Sequence, residues 1–341
     1  MSTVGNVAHS ARAAQVIAPA TSAPPSVPPA LTAAFAHCAQ VTRRRARNFY
    51  YGLRLTPEPR RSAIYSVYAW MRCADDEADA AATVELKHQR LDVFRTTTEA
   101  MVAGRPMGAA ESDPVWLAFR ETVRRYSLSP ADLRAMLDGL DADLALERRE
   151  VRDESGAPLP AYARREDVAA YCYRVASTVG LICLDVWGLA PEADRERART
   201  LAERRGLAFQ LTNILRDFSQ DYAEGRVYIS ASEFADHGLT PAALRAWTTP
   251  EDCAALVRAV AAWARAEYAR SAPLEGLIDP ACVPALRAMT GIYSGLLGVI
   301  ERFPERVVSR KRIRLRSYHK ATIAARALLE SWAARRASVT P

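Results

Sequence analysis

Two acidic segments, one in each half of the chain, are the most informative stretches: Arg72-Cys73-Ala74-Asp75-Asp76-Glu77-Ala78-Asp79 and Gln210-Leu211-Thr212-Asn213-Ile214-Leu215-Arg216-Asp217-Phe218-Ser219-Gln220-Asp221. Each places two aspartates four residues apart, so both carboxylates of a pair lie on one face of a helix. Like charges at this spacing weaken a helix by roughly 0.2–0.5 kcal/mol per pair. A chain that contains the pattern twice is therefore expected to hold a cation between two helices.

The composition predicts a soluble, all-α protein. The chain has 341 residues, of which 50% are hydrophobic, 25% are charged and only 15 are glycine. No segment shows the sustained alternation of a strand. The longest uncharged run in the helical body is 288–300, which is shorter than the roughly 20 residues that span a bilayer. Inward acidic residues in a helical protein favour a bundle around a central site.

The pattern divides the chain into a tail and one domain. Residues 1–30 are proline-rich and predicted to be disordered, and residues 31–335 form a single domain. The pattern predicts a helix end and a turn at 48–57 and a turn at 224–226. Helices are expected at 31–47, from Pro59 to Asp79, and at 83–103, 113–126, 130–150, 162–187, 191–221, 241–271, 281–303 and 317–335.

Charge and cysteine content limit the partners. A net charge of +7 is modest for a nucleic-acid binder, and no recognition motif accompanies it. The six scattered cysteines show no CxxC and are typical of reduced core residues in a cytosolic protein. We therefore expect a cytoplasmic protein without a nucleic-acid partner. Contact with the inner membrane face and the oligomeric state are left open.

The acidic segments also carry the chemistry that a metal–diphosphate site requires. Carboxylate oxygens are preferred ligands of Mg²⁺, which keeps several waters and is often completed by substrate phosphate. Arg72 and Arg216 lie beside the carboxylates and can bind phosphate oxygens. Gln210 and Asn213 share a face with Asp217 in an apolar stripe, where polar groups need partners. The alternative is a solvated acidic face.

Three separated motifs resemble those of the squalene/phytoene synthases, which are head-to-head prenyl transferases. Tyr68–Asp79 resembles the first motif of that family, Tyr171–Gly180 its central helix, and Gln210–Ile229 the second motif with its following turn. The resemblance extends from about Asn48 to Leu329. It implies an all-α isoprenoid-synthase helical bundle around a central cavity.

The resemblance also implies roles for individual residues. Asp75, Asp79, Asp217 and Asp221 would bind Mg²⁺, for which Mn²⁺ is an alternative, and Asn213 would lie close to the second pair. Tyr68, Arg72, Arg216, Tyr293 and Arg310 would contact diphosphate. No strong general base stands out, and the departing diphosphate and Tyr171 are the candidates for that role. The prenyl cavity would be lined by Tyr171, Val175, Val179, Gly180, Phe209 and Gln210.

The implied reaction joins two farnesyl diphosphates into presqualene diphosphate, with or without reduction to squalene. Phytoene synthase, which condenses two geranylgeranyl diphosphates, is the close alternative. A need for NADPH is left open, since family members that use it lack a GxGxxG motif. Two further alternatives are a non-catalytic assembly factor of the same fold and a basic peripheral membrane protein. The sequence departs from the family where many members have Ser, since Ala46, Arg47 and Asn48 stand there.

Overall fold

The architecture is an all-α bundle. In the computed structural model, residues 28–46, 48–149 and 152–337 are described, and they contain helices and two isolated bridges but no strand. The helices are α1 Pro29–Arg45, α2 Asn48–Leu53, α3 Arg60–Ala78, α4 Val84–Val102, α5 Pro114–Tyr126, α6 Pro130–Arg149, α7 Arg165–Cys172, α8 Thr178–Trp187, α9 Arg195–Ala223, α10 Ala231–Asp236, α11 Pro241–Ala246, α12 Pro250–Arg270, α13 Val283–Arg302 and α14 Ser317–Ala337. The predicted fold class is confirmed.

Local sequence signals explain where several helices begin and end. Thr83 caps α4 by accepting a hydrogen bond from the Leu86 amide, and Asp194 caps the long helix α9 by accepting from Glu196 and Arg197. Pro114 occupies the first turn of α5 after the Asp113 cap. Such caps satisfy amides that have no partner within the helix.

One predicted helix was wrong in its extent, and two other predicted regions differ only in detail. The expected helix 241–271 is divided because Trp247 adopts a left-handed φ of 56° and Pro250 starts a new helix. Residues 48–57, where a helix end and a turn are expected, contain the short helix α2 followed by a turn. The first helix begins at Pro29, inside the expected tail; residues 1–27 lie outside the described residues, as does Arg47.

The central helical segment contains a π-helical turn. Residues Tyr173–Ser177 form this turn between α7 and α8, where the sequence predicts one continuous helix. A Cβ added to Gly206 of α9 would lie 2.4 Å from the Cα of Ser177, and one added to Gly180 would lie 3.3 Å from the carbonyl oxygen of Ala202. The missing side chains let these helices approach closely, and together they form one wall of the central cavity.

Two core segments also have the length and composition of membrane spans. These are Arg165–Trp187 and Val283–Arg302, whose most apolar windows are 50% and 61% buried within the bundle. The longest uncharged run, 288–300, is too short to span a bilayer. The two segments reach the length of a span because each also includes a few charged residues. Both contribute side chains to the cavity wall, as core helices do. The six cysteines are free, and all except the half-buried Cys73 are buried.

The close approach of α9 to the π-helical turn can be tested by adding one methyl group. Gly206→Ala forces a Cβ against the backbone of Ser177 and Ala176, and is expected to lower the free energy of unfolding by about 1–3 kcal/mol. Gly298→Ala is the matched control, because a Cβ there meets nothing within 4 Å and Ala is favoured over Gly in a helix by about 0.5–1 kcal/mol. Urea unfolding measures both, and equal stability of the two variants would contradict the packing described here.

Candidate active site

An apolar cavity lies between α3 and α9, with α2, α8, α13 and the π-helical turn completing its wall. It encloses about 190 Å³. Seven residues predicted from the sequence line it: Tyr68, Val175, Val179, Gly180, Phe209, Gln210 and Asn213. Because Tyr68 belongs to α3 and Asn213 to α9, the two helices that carry the acidic pairs face each other across this space.

The second acidic pair, Asp217 and Asp221, lies one and two turns beyond Asn213 on α9. Asp217 accepts hydrogen bonds from Arg216, with Nε–Oδ1 at 2.8 Å, and from Arg312, with Nε–Oδ1 at 2.5 Å. Burial would raise the pKa of Asp217, but these two arginines outweigh it and lower the pKa. Asp217 is therefore a fixed anion held between two guanidinium groups.

Asp221 is not held by an arginine pair of this kind within the residues that the structure describes. Burial and the nearby charge of Asp217 raise its pKa to about 7, although Arg226 partly offsets them. The Asn213 amide nitrogen donates to the Gln210 side-chain oxygen at 3.1 Å, and the Asn213 Oδ1 atom is buried without a hydrogen-bond partner among the described residues. A buried carbonyl oxygen and a carboxylate whose ionised form is disfavoured are both groups that a cation would stabilise.

The first acidic pair, Asp75 and Asp79, shares one arginine. Arg72 pairs closely with Asp76, and its guanidinium lies 3.8 Å from both Asp75 and Asp79. The Asp75 side chain is 42% exposed, yet protein surrounds the carboxylate closely. That desolvation, together with the charges of Asp79 and Asp76, raises its pKa to about 7.

Tyr293 and Phe209 connect the second pair to the apolar wall. The buried Tyr293 ring packs against Phe49 at 5.2 Å and against Phe209 at 4.9 Å between ring centroids. Its hydroxyl lies beside the Arg216 guanidinium, which lowers the Tyr293 pKa while burial raises it to a greater extent. Tyr293 is thereby a neutral phenol at the junction of charged and apolar surfaces.

Tyr171 lies in a separate hydrogen-bonded group rather than on the cavity wall. Its hydroxyl donates to Asp143 at 3.4 Å, the Tyr228 hydroxyl donates to the same carboxylate at 3.1 Å, and the two rings stack at 4.9 Å. Burial raises the pKa of Tyr171 well above its usual value and raises that of Asp143 to about 6. Asp143 also feels the charges of Asp79 and Arg226, so this group lies close to both acidic pairs.

A basic cleft opens beside the acidic pairs. It encloses about 890 Å³ and is lined by Arg44, Arg45, Arg72, Gln220, Arg310, Lys311, Arg312 and Arg314. Arg310, which the resemblance placed at the diphosphate, lies in this wall, whereas its near neighbour Arg312 makes the ion pair with Asp217. The cleft meets the apolar cavity at Arg72 and Tyr68, which lie one turn apart on α3.

The donor set fits Mg²⁺ that substrate completes. Across the described ranges, no three His, Cys, Asp or Glu side chains converge closely enough to hold a metal ion alone. Two acidic pairs on opposite sides of a cavity instead suit hydrated ions that are bridged by diphosphate oxygens. The unpartnered Asn213 oxygen and the disfavoured charges of Asp75 and Asp221 are consistent with such ions.

Comparison with known proteins identifies the family. The family model for squalene/phytoene synthase matches residues 42–319. The chain belongs to the squalene/phytoene synthase family. Members of this family are prenyl transferases, so the chain is an enzyme that acts on prenyl diphosphates.

Similar proteins within the squalene/phytoene synthase family are named either phytoene synthases or squalene and dehydrosqualene synthases. The chain is 34% identical over 297 residues to a phytoene synthase from Mycobacterium bovis, which covers 85% of this chain and 89% of the relative. A crystallised dehydrosqualene synthase aligns with a TM-score of 0.72 and 25% identity, covering 88% of this chain and 97% of the other. Squalene synthase HpnC from Alicyclobacillus acidocaldarius aligns with a TM-score of 0.68 and 25% identity, covering 81% and 96%.

Sequence reasoning missed three charged residues near the site: Asp143, Arg226 and Arg312. Arg312 lies in a basic run that the sequence makes visible, but the path of the chain after α13 decides which arginine reaches Asp217. Asp143 follows Gly139 by one helical turn, and Gly139 packs closely on Val175 and Arg174 of the π-helical turn. No pattern in α6 alone separates Asp143 from the exposed acids around it.

Mg²⁺ is expected to stabilise the folded protein more at pH 8 than at pH 6. Because the pKa values of Asp75 and Asp221 are raised from 3.8 to about 7, the folded state holds more protons than the unfolded state between these values, and stability falls as the pH rises across that window. Mg²⁺ binds ionised carboxylates and offsets that loss. Thermal melts with and without Mg²⁺ at pH 6 and pH 8 measure this effect. In the double variant Asp75→Asn/Asp221→Asn, the stabilisation by Mg²⁺ should no longer differ between the two pH values.

The two arginines of the basic run are expected to differ in importance. Arg312→Met removes a charge-assisted hydrogen bond that is worth about 1.5–3 kcal/mol, so diphosphate release should fall by roughly tenfold to a hundredfold. Arg310→Met is the matched control, since Arg310 makes no ion pair within the described chain. A steady-state assay compares them, and a larger loss for Arg310→Met would contradict the assignment of Arg312.

Proposed function

We propose that the protein catalyses the Mg²⁺-dependent head-to-head (1′-1) condensation of two prenyl diphosphates. The observation that carries this proposal is the position of the two acidic pairs, where an apolar cavity meets a basic cleft. A prenyl diphosphate has one apolar part and one strongly anionic part, which match these two surfaces. The carboxylates lie where the two parts of the substrate would join.

Different side chains would bind the diphosphate and the metal ions that ionise one substrate. Arg72, Arg216 and Arg312 would bind diphosphate oxygens, with Tyr68 and Tyr293 at the apolar boundary. Asp75 and Asp79 on one side, and Asn213, Asp217 and Asp221 on the other, would hold Mg²⁺ or Mn²⁺. When bound, the ions would neutralise the charge that develops on the leaving diphosphate. The apolar wall excludes water, which strengthens these interactions.

The carbon–carbon step then follows from positioning. The allylic cation left by one substrate is attacked by the double bond of the second, and loss of a proton gives a cyclopropylcarbinyl diphosphate, with one diphosphate and one proton released. Tyr171 and the departing diphosphate are the candidate proton acceptors. Tyr171 is protonated at neutral pH and hydrogen-bonded to Asp143, so any proton it accepts must be matched by transfer of its own proton to that carboxylate.

Farnesyl diphosphate is the substrate we propose, with presqualene diphosphate as the product and squalene as a further product if NADPH takes part. The cavity is small, and bulky side chains including Trp187 line it. Two aligned structures are a dehydrosqualene synthase and a squalene synthase. Geranylgeranyl diphosphate is the second candidate, because relatives that are 34% identical are named phytoene synthases.

The basic cleft supports a cytoplasmic location with peripheral contact at the inner membrane face. Seven cationic side chains line it, and nearby α14 exposes Tyr318, Leu328 and Leu329. Basic residues beside exposed apolar ones are favourable at anionic membranes. The very apolar products of the proposed reaction would need such a surface to leave.

Removal of one carboxylate from either pair should abolish most activity. Asp75→Asn and Asp217→Asn keep the side-chain volume but remove a negative charge, and each is expected to lower kcat by at least about a hundredfold. Asp92→Asn, at an exposed position on α4, is the matched control and should retain activity. Diphosphate release from farnesyl diphosphate measures all three. Full activity of both site variants would rule out the assigned metal-binding role.

The product decides between the two candidate substrates. The wild-type protein is incubated with Mg²⁺ and either farnesyl or geranylgeranyl diphosphate, with and without NADPH, and the lipid extract is analysed by mass spectrometry. A presqualene diphosphate product from farnesyl diphosphate supports the proposal. A C40 product as the preferred outcome would replace it with phytoene synthesis, and no diphosphate release from either substrate would contradict both.

A further inference from the structure

Arg205 is a buried cation in the wall of the apolar cavity. Its residue surface is 3% exposed, and it lines the same space as Trp187, Leu274 and Leu286. Burial lowers its pKa, although a charge on Glu275 partly opposes this. An arginine is an unusual neighbour for an apolar ligand, because burying its charge is costly unless the charge is paired.

Three helices place Arg205 away from the mouth of the cavity. On α9, Arg205 precedes Asn213 by two turns, about 12 Å of helix rise, and precedes Asp217 by about 18 Å. On α3, Tyr68 lies near the acidic pair while Ile64 lies one turn further from it. On α8, the lining continues through Cys183 to Trp187 at the end of the helix. Arg205 therefore belongs to the deep end, opposite the metal-binding carboxylates.

Hydrogen bonds to neutral groups hold the guanidinium in place. Nε donates to the Ser271 hydroxyl at 2.8 Å, Nη2 donates to the Ser271 carbonyl at 2.9 Å, and Nη1 donates to the Thr290 hydroxyl. Within the described part of the chain, no carboxylate forms an ion pair with Arg205, since Glu275 pairs with Arg287 at 2.7 Å. The side chain is fixed by geometry rather than by a counter-charge.

We propose that Arg205 determines the longest prenyl chain that the cavity accepts, and so selects farnesyl over geranylgeranyl diphosphate. This inference rests on the proposed function. A flexible apolar side chain at the deep end would move aside for one more isoprene unit. The guanidinium does not, because moving it would break three hydrogen bonds to Ser271 and Thr290 at a buried position, and leaving such donors unpaired is costly. Arg205 is thus a specificity-determining residue and takes no part in the chemical step.

The test compares kcat/KM for the two diphosphates in the full-length protein with Mg²⁺. Arg205→Ala opens the deep end, and Arg205→Met keeps much of the volume but removes the hydrogen bonds and the buried charge. Both variants should raise the ratio of geranylgeranyl to farnesyl kcat/KM by at least about tenfold, the usual effect of added apolar length in a pocket. Leu256→Ala is a destabilising truncation of a fully buried α12 residue outside the cavity, and it should leave the ratio unchanged.

Each outcome separates the role of Arg205 from the proposed function. Wild-type release of diphosphate from farnesyl diphosphate, together with a changed ratio in folded Arg205→Met, supports the inference. An unchanged ratio in that variant, an equal shift in Leu256→Ala, or a wild-type protein that uses both substrates equally well overturns the role of Arg205 alone. No diphosphate release from either substrate by the wild-type protein contradicts the proposed function and the role of Arg205 together.

Discussion

Repulsion among carboxylates at the mouth of an apolar cavity is the constraint on which the site depends. Asp217 is stabilised as an anion by Arg216 and Arg312, whereas Asp75 and Asp221 lack an equally close counter-charge and have raised pKa values. The folded protein therefore carries a deficit of positive charge at one place. Divalent cations and the arginines of the basic cleft are the groups that can correct it, and they are also the groups that a leaving diphosphate requires.

The bundle keeps this charged region apart from the apolar one. Glycines at 180 and 206 let α8, α9 and the π-helical turn approach closely, and all three line the cavity on that side. Tyr293, Phe209 and Phe49 then form an aromatic boundary below Arg216. Because the cavity wall behind this boundary is largely apolar, an allylic cation formed at the mouth in the proposed reaction would meet π electrons and apolar groups instead of a nucleophile.

The side chains at the deep end of the cavity bear on substrate length, which family membership does not determine. Family membership accounts for the acidic pairs and the cavity, but the relatives carry the names of enzymes with different products. The length of prenyl chain that such a cavity accepts depends on its volume beyond the reactive end of the substrate. Here that volume ends at side chains from α8, α9 and α13 and the turn after α12, including a guanidinium fixed by Ser271 and Thr290. Such a wall gives a sharper limit than a flexible aliphatic one.

Local sequence determined most of the helices and the placement of the two acidic pairs. The four-residue spacing within Asp75/Asp79 and Asp217/Asp221, embedded in apolar periodicity, is enough to place each pair on one helical face. Helix breaks were less predictable, because Trp247 adopts a left-handed conformation that ordinary propensities do not favour.

Only the tertiary structure decided which distant residues meet. Arg312 rather than Arg310 pairs with Asp217, Asp143 joins Tyr171 to Tyr228, and Arg205 closes the cavity against residues far along the chain. The physical reason is that helix periodicity is a local property of the backbone. The meeting of α6, α9 and the segment after α13 depends on how whole helices pack, and that packing is not encoded in any single stretch.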